Sequence, residues 1–154
     1  MWDRLRRQIQ IERDQLRSLL GTHLSLLERC ATEAPDPIEL SALAAVLHSF
    51  YTGIENIFKR VAVTLDEGLP QGDVWHRRLL DSMASATTKR PAVITKPLRD
   101  TLRGYLDFRH VFRHAYTFEL RWKKMSGLVL ECQQTLRQLE AELDVFLESP
   151  QPAS

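Results

Sequence analysis

The sequence predicts an all-α protein, an antiparallel up-and-down bundle of four to five helices. Apolar residues recur at three- and four-residue spacing along almost the whole chain. No stretch alternates with period two between turn residues, and the segments joining the periodic stretches are short. At 154 residues the chain suits one domain, residues 1–148, followed by a disordered tail over 149–154.

Each element has its own signal. Leu5, Ile9, Leu16, Leu19, Leu20, Leu26 and Leu27 draw one stripe on a first helix over about residues 3–31. Asp36-Pro37-Ile38-Glu39 is a start signal, with Asp36 to cap, Pro37 at the first helical position and Glu39 completing a capping box. The helix it opens carries Leu40, Leu43, Leu47, Phe50, Tyr51, Ile54, Phe58, Val61 and Leu65, and ends near Gly68-Leu69-Pro70-Gln71-Gly72. Asp73 suits the cap of a third helix running through Trp75 to about Ala86, and Thr87 to Pro91 read as a linker. Thr95-Lys96-Pro97 opens a fourth helix with Leu98, Leu102, Tyr105 and Phe108 or Phe112 inward. A last helix over about 118–147 has Leu128, Cys132, Leu136, Leu139, Leu143 and Phe146 as its seam, and Gly127 costs it about 1 kcal/mol relative to alanine.

Composition excludes several function classes. Charge interrupts every apolar stretch well short of the roughly 20 residues of a membrane span. The charged N-terminal segment is no secretory signal, so a cytoplasmic protein without a membrane partner is expected. Cys30 and Cys132 lie far apart without a C-x-x-C partner and read as two buried, reduced thiols. A net charge of +1 is not that of a general nucleic-acid binder, but the charge is unevenly distributed. Arg103, Arg109, Arg113, Arg121, Lys123 and Lys124 face only Asp107 and Glu119 in sequence, whereas the segment from Glu131 to Glu148 is acidic.

The basic stretch also holds the densest cluster of versatile side chains, from Tyr105 to Trp122. Its plainest reading is a solvated helix end, where cations are favoured by the dipole. A metal site is a second reading, since His110 and His114 lie four apart on one helical face. Valine follows His110, however, so the H-E-x-x-H pattern is absent, and Arg113 beside the pair would repel a cation. The third reading is metal-free RNA cleavage, in which the substrate's 2′-hydroxyl attacks and the protein moves protons and stabilises charge. Histidine suits the first task and arginine the second. Arg109 and His114, five residues apart, point about 140° from each other on a continuous helix. Either the helix breaks between them, or two copies of the chain compose the site. Tyr116, seven residues after Arg109, shares its face if the helix continues.

Arg109-His110-Val111-Phe112-Arg113-His114-Ala115-Tyr116 resembles the R-x4-H-x-Y motif of HEPN proteins in the form typical of the HepT-like branch. Leu47 to Lys59 resembles that family's second helix, as does Trp75-His76-Arg77-Arg78-Leu79-Leu80 the segment after its loop. The resemblance implies an endoribonuclease toxin of a type VII-like toxin–antitoxin pair, homodimeric, with Arg109 and His114 of both chains lining one cleft. It implies a minimal nucleotidyltransferase antitoxin that AMPylates Tyr116, and tRNA or mRNA as substrate. Cleavage would need no cofactor and no metal; ATP and Mg²⁺ would belong to the antitoxin's reaction. His110 and Arg113 are candidates for RNA contact, and Glu55 and Asn56 for polar support facing the cleft. His23, His48 and His76 read as surface or interface residues, Tyr51 as core and Trp122 as a packed aromatic. The alternative function is a non-catalytic helical module that partners a nucleotidyltransferase.

Overall fold

The computed structural model describes residues 1–114 and 120–149. Among these residues six helices follow one another: α1 (Trp2–Thr22), α2 (Leu24–Arg29), α3 (Pro37–Leu65), α4 (Trp75–Met83), α5 (Lys96–His114) and α6 (Trp122–Glu148). No strand occurs among the described residues. The long α3 is the central element, packing against α1, α4, α5 and α6. It buries Leu43, Leu47, Phe50, Ile54, Phe58 and Val61, the i, i+3, i+4, i+7 pattern of its sequence.

The sequence explains where the helices start. Asp36 Oδ1 accepts from the Glu39 amide at 2.8 Å, and Glu39 Oε1 accepts from the Asp36 amide at 3.0 Å, a complete capping box with Pro37 behind it. Thr95 Oγ1 accepts from the Leu98 amide at 3.3 Å and caps α5. The expected first helix over 3–31 is in fact two. It breaks at His23 (φ −105°, ψ 13°), whose ring donates from Nδ1 to the Leu19 carbonyl at 2.8 Å and so satisfies an orphan acceptor of the last turn. That break raises the count from five helices to six. Asp73 does not cap α4; Val74 occupies the cap position with no side-chain bond, and α4 stops at Met83 rather than Ala86. The last helix begins at Trp122, because Arg121 is extended (φ −130°, ψ 123°).

The linker after α4 is a packed structure. Arg90 is buried, and its guanidinium forks onto Asp66 at 2.8 and 2.9 Å while also donating to the carbonyls of Ser85, Pro91 and Ser82. Asp66 is the C-cap residue of α3, so this one side chain ties the end of α3 to the loop before α5. Arg90→Lys keeps the charge but loses the planar fork and several bonds, and should lower the unfolding free energy in urea by about 1–3 kcal/mol. On the opposite side Arg13 bonds Glu140 at 3.2 Å and Asp144 at 2.7 Å, clasping α1 to α6. Cys30 and Cys132 are free and buried, and burial pushes the Cys132 thiol up to about 11. Gly127 lies exposed in α6 with nothing within 4 Å of where a Cβ would stand, as its reading as a soft spot requires.

Candidate functional site

Helices α3, α4 and α5 meet around Arg109. The arginine is among the largest fully buried side chains of the protein, at 2% exposure. Its Nη2 donates to Glu55 Oε2 at 2.8 Å, and Glu55 is itself buried on α3. Nη1 donates to Thr52 Oγ1 at 3.3 Å, one turn back on the same helix. The guanidinium lies over the ring of Tyr51, 4.9 Å from its centroid, a cation–π contact in a desolvated setting. Three side chains of α3 thus fix the guanidinium in position and orientation.

His76 of α4 completes the cluster. Its Nδ1 stands 2.8 Å from Glu55 Oε2 and 3.1 Å from Arg109 Nη2. Those two bonds are exclusive: with a proton on Nδ1 the ring donates to Glu55, and without one it accepts from Arg109. The ring stacks on Trp75, centroids 3.7 Å apart. His76 reads in sequence as a surface or interface residue; the structure places it half-buried, against the Arg109–Glu55 pair. Neither His76 nor Thr52 could be found from periodicity, since their contacts with Arg109 cross 33 and 57 positions of sequence.

A cleft of about 480 Å³ opens beside the cluster, with Arg109, His76, His110 and Arg113 in its wall. Arg77 and Asp107, 3.9 Å apart, and Asp73 line it too, so basic groups outnumber acidic ones. His114 is not part of this wall. Helix α5 runs unbroken from Lys96 through His114, which removes a helix break between the two motif residues. Arg109 is buried while His114 is exposed at the helix end, its ring edge-on to that of His110 with centroids 4.8 Å apart. Asn56 also departs from the expected placement. One residue on from Glu55 it is rotated about 100° and lines grooves on the α1 side instead of the Arg109 cleft. Tyr116 lies outside the described residues.

The remaining candidates sort themselves by packing. Burial, and then the charges of Arg113 and Arg109, hold the His48 ring below the usual histidine range, and it packs on Phe112. Among the described residues the buried Tyr51 hydroxyl has no hydrogen-bond partner, and burial raises it far above the usual range for tyrosine. Trp122 packs half-buried against the core. Among the described residues no group of three or more His, Cys, Asp or Glu side chains converges as a metal site, and no helix is long and apolar enough to cross a membrane.

The family of HepT-like proteins matches residues 42–149, more than two thirds of the chain, including every residue of this cluster. The chain belongs to the HepT-like family. It is thereby a member of the HEPN superfamily, and the all-helical bundle accords with that. The HepT-like match takes in most of α3 and the whole of α4, α5 and α6, and leaves α1 and α2 outside it. No curated protein and no solved structure matches the chain.

Proposed function

We propose that this HepT-like chain is a metal-independent endoribonuclease, the toxin of a type VII-like pair whose antitoxin is a minimal nucleotidyltransferase. The observation that carries the reading is the motif arginine locked between Glu55 and Thr52 while the motif histidine of the same helix stands free in solvent. In this reading His114 removes the proton of the 2′-hydroxyl or supplies one to the leaving 5′-oxygen. The 2′-oxygen–phosphorus bond forms as the bond from phosphorus to the 5′-oxygen breaks, leaving a cyclic phosphate. Arg109, with His110 and Arg113 at the rim, offsets the negative charge that builds on the phosphoryl oxygens. No cofactor enters the cleavage step.

Two protomers build the proposed site, because an unbroken helix keeps Arg109 and His114 of one chain about 140° apart. Tyr116 is the proposed point of control. An AMP group there adds bulk and a phosphodiester charge in the basic stretch and competes with RNA phosphate; ATP and Mg²⁺ serve the antitoxin in that reaction. tRNA and mRNA are the substrates that suit the chemistry.

The chain expressed alone in bacteria should arrest growth, and its His114→Ala variant should not. Co-expressed with the neighbouring nucleotidyltransferase, its intact mass should rise by whole AMP increments that vanish in Tyr116→Phe. Equal growth of wild type and variant contradicts the toxin. A constant mass with growth restored contradicts the modification and favours neutralisation by simple binding. A chain that forms a stable complex with the nucleotidyltransferase, and loses nothing on changing His114, is instead a non-catalytic partner module.

A further inference from the structure

The groove between α1 and α3 differs from the others in its charge. It encloses about 750 Å³, and its polar lining is Arg4, Gln8, Asn56, Lys59, Arg60 and Thr64, with no carboxylate. Among the described residues none of the three cations forms an ion pair or donates a side-chain hydrogen bond. By contrast, the groove flanked by α1, α2 and α6 carries Glu28 and Glu140 beside its Arg17 and Arg137. Three uncompensated cations in one concavity repel one another and are stabilised by a bound polyanion.

A chain of side-chain contacts links the groove to the Arg109 cluster. Lys59 follows Glu55 by one turn of α3, and its Nζ lies 5.2 Å from the centroid of Trp75. Trp75, half-buried, stacks on His76, whose Nδ1 contacts Glu55. Cations for phosphates, amide and hydroxyl groups for sugar edges, and an aromatic face between groove and cleft are the parts from which single-strand sites are made. An acidic protein surface would match the charge but not the aromatic step. We propose that this groove binds the phosphates of single-stranded RNA, holding the strand that leaves the Arg109 cleft past Trp75. The inference rests on the RNA-cleaving reading for its purpose, but its test does not need cleavage.

The probe is a fluorescein-labelled oligouridylate of about a dozen nucleotides, titrated by anisotropy against the His114→Ala protein over a range of salt. Adding Arg4→Ala, Lys59→Ala and Arg60→Ala should weaken binding at least about tenfold at low salt. The log–log salt dependence should flatten by about 0.7 for each cation removed. Circular dichroism should show the helices retained, since among the described residues the three side chains make no ion pair or hydrogen bond and only Lys59 makes a cation–π contact, with Trp75. Unchanged affinity and slope in the triple variant overturn the groove and leave the ribonuclease reading standing. So does a triple variant that keeps RNA but releases the nucleotidyltransferase, which would make the groove a protein-docking surface. Failure of the starting protein to bind the oligonucleotide overturns the groove as well. RNA binding that depends on the groove, in a chain that cleaves nothing, upholds it against the failure of the catalytic reading.

Discussion

Glu55→Ala should lower the unfolding free energy by about 3–5 kcal/mol, because it leaves the Arg109 guanidinium buried without its counter-charge. The two side chains are 2% and 4% exposed, so little solvent is in place to replace the lost carboxylate. Removing both charges together should cost less than the sum of the single changes, since Arg109→Met in the Glu55→Ala background no longer strands a buried ion. Glu55→Gln falls between, because an amide oxygen still accepts from Nη2 and from a protonated His76 Nδ1. Urea unfolding of the four proteins reads the cycle. A loss under about 1 kcal/mol for Glu55→Ala would place the pair in solvent and undo the description of a preorganised arginine.

His114→Ala should reduce RNA cleavage by about 10²- to 10⁴-fold, the usual worth of a general acid or base. The same change should leave stability within about 0.5 kcal/mol, because the ring is exposed at the end of α5. The two readouts separate chemistry from folding, which they cannot do at Arg109. Complementation then tests whether the site is shared. An equimolar, randomly assorted mixture of His114→Ala and Arg109→Lys protomers should regain roughly a quarter of wild-type activity if each site draws its arginine and histidine from different chains, since half of the dimers are mixed and each of those keeps one intact site. Mixtures as inactive as their components would place both groups in one protomer, against the geometry of an unbroken α5.

Much of the fold was legible in the sequence because its signals are local. The capping box at Asp36, the proline start of α5 and the apolar stripe of α3 depend on residues within a few positions of one another. The break at His23 escaped, since the apolar stripe continues across it and only an i to i−4 ring-to-carbonyl bond marks it. Arg90 escaped for the opposite reason. In sequence it sits in a polar linker, and its importance comes from Asp66, 24 residues earlier.

The site divides the same way. The spacing of Arg109 and His114 predicts opposite helical faces, and the structure has them so, one buried and one exposed. The sequence marked Glu55 as polar on an apolar helix but could not name its partner, 54 positions away. His76 reads only as surface or interface because α4 shows just its Leu79, Leu80 and Met83 face to periodicity. Asn56, beside Glu55, was assigned to the same cleft, although one residue turns a helix through about 100°.

In the proposed reaction this chain cuts RNA with its own side chains, His114 moving protons and Arg109 offsetting charge, without a metal ion. The direct measurement is incubation of the purified chain, unmodified at Tyr116, with RNA in excess EDTA, followed by analysis of the ends produced. Cleavage should proceed at an undiminished rate, with 2′,3′-cyclic phosphates on one fragment and 5′-hydroxyls on the other. No cleavage, or cleavage that EDTA abolishes and that leaves 5′-phosphates, would contradict it.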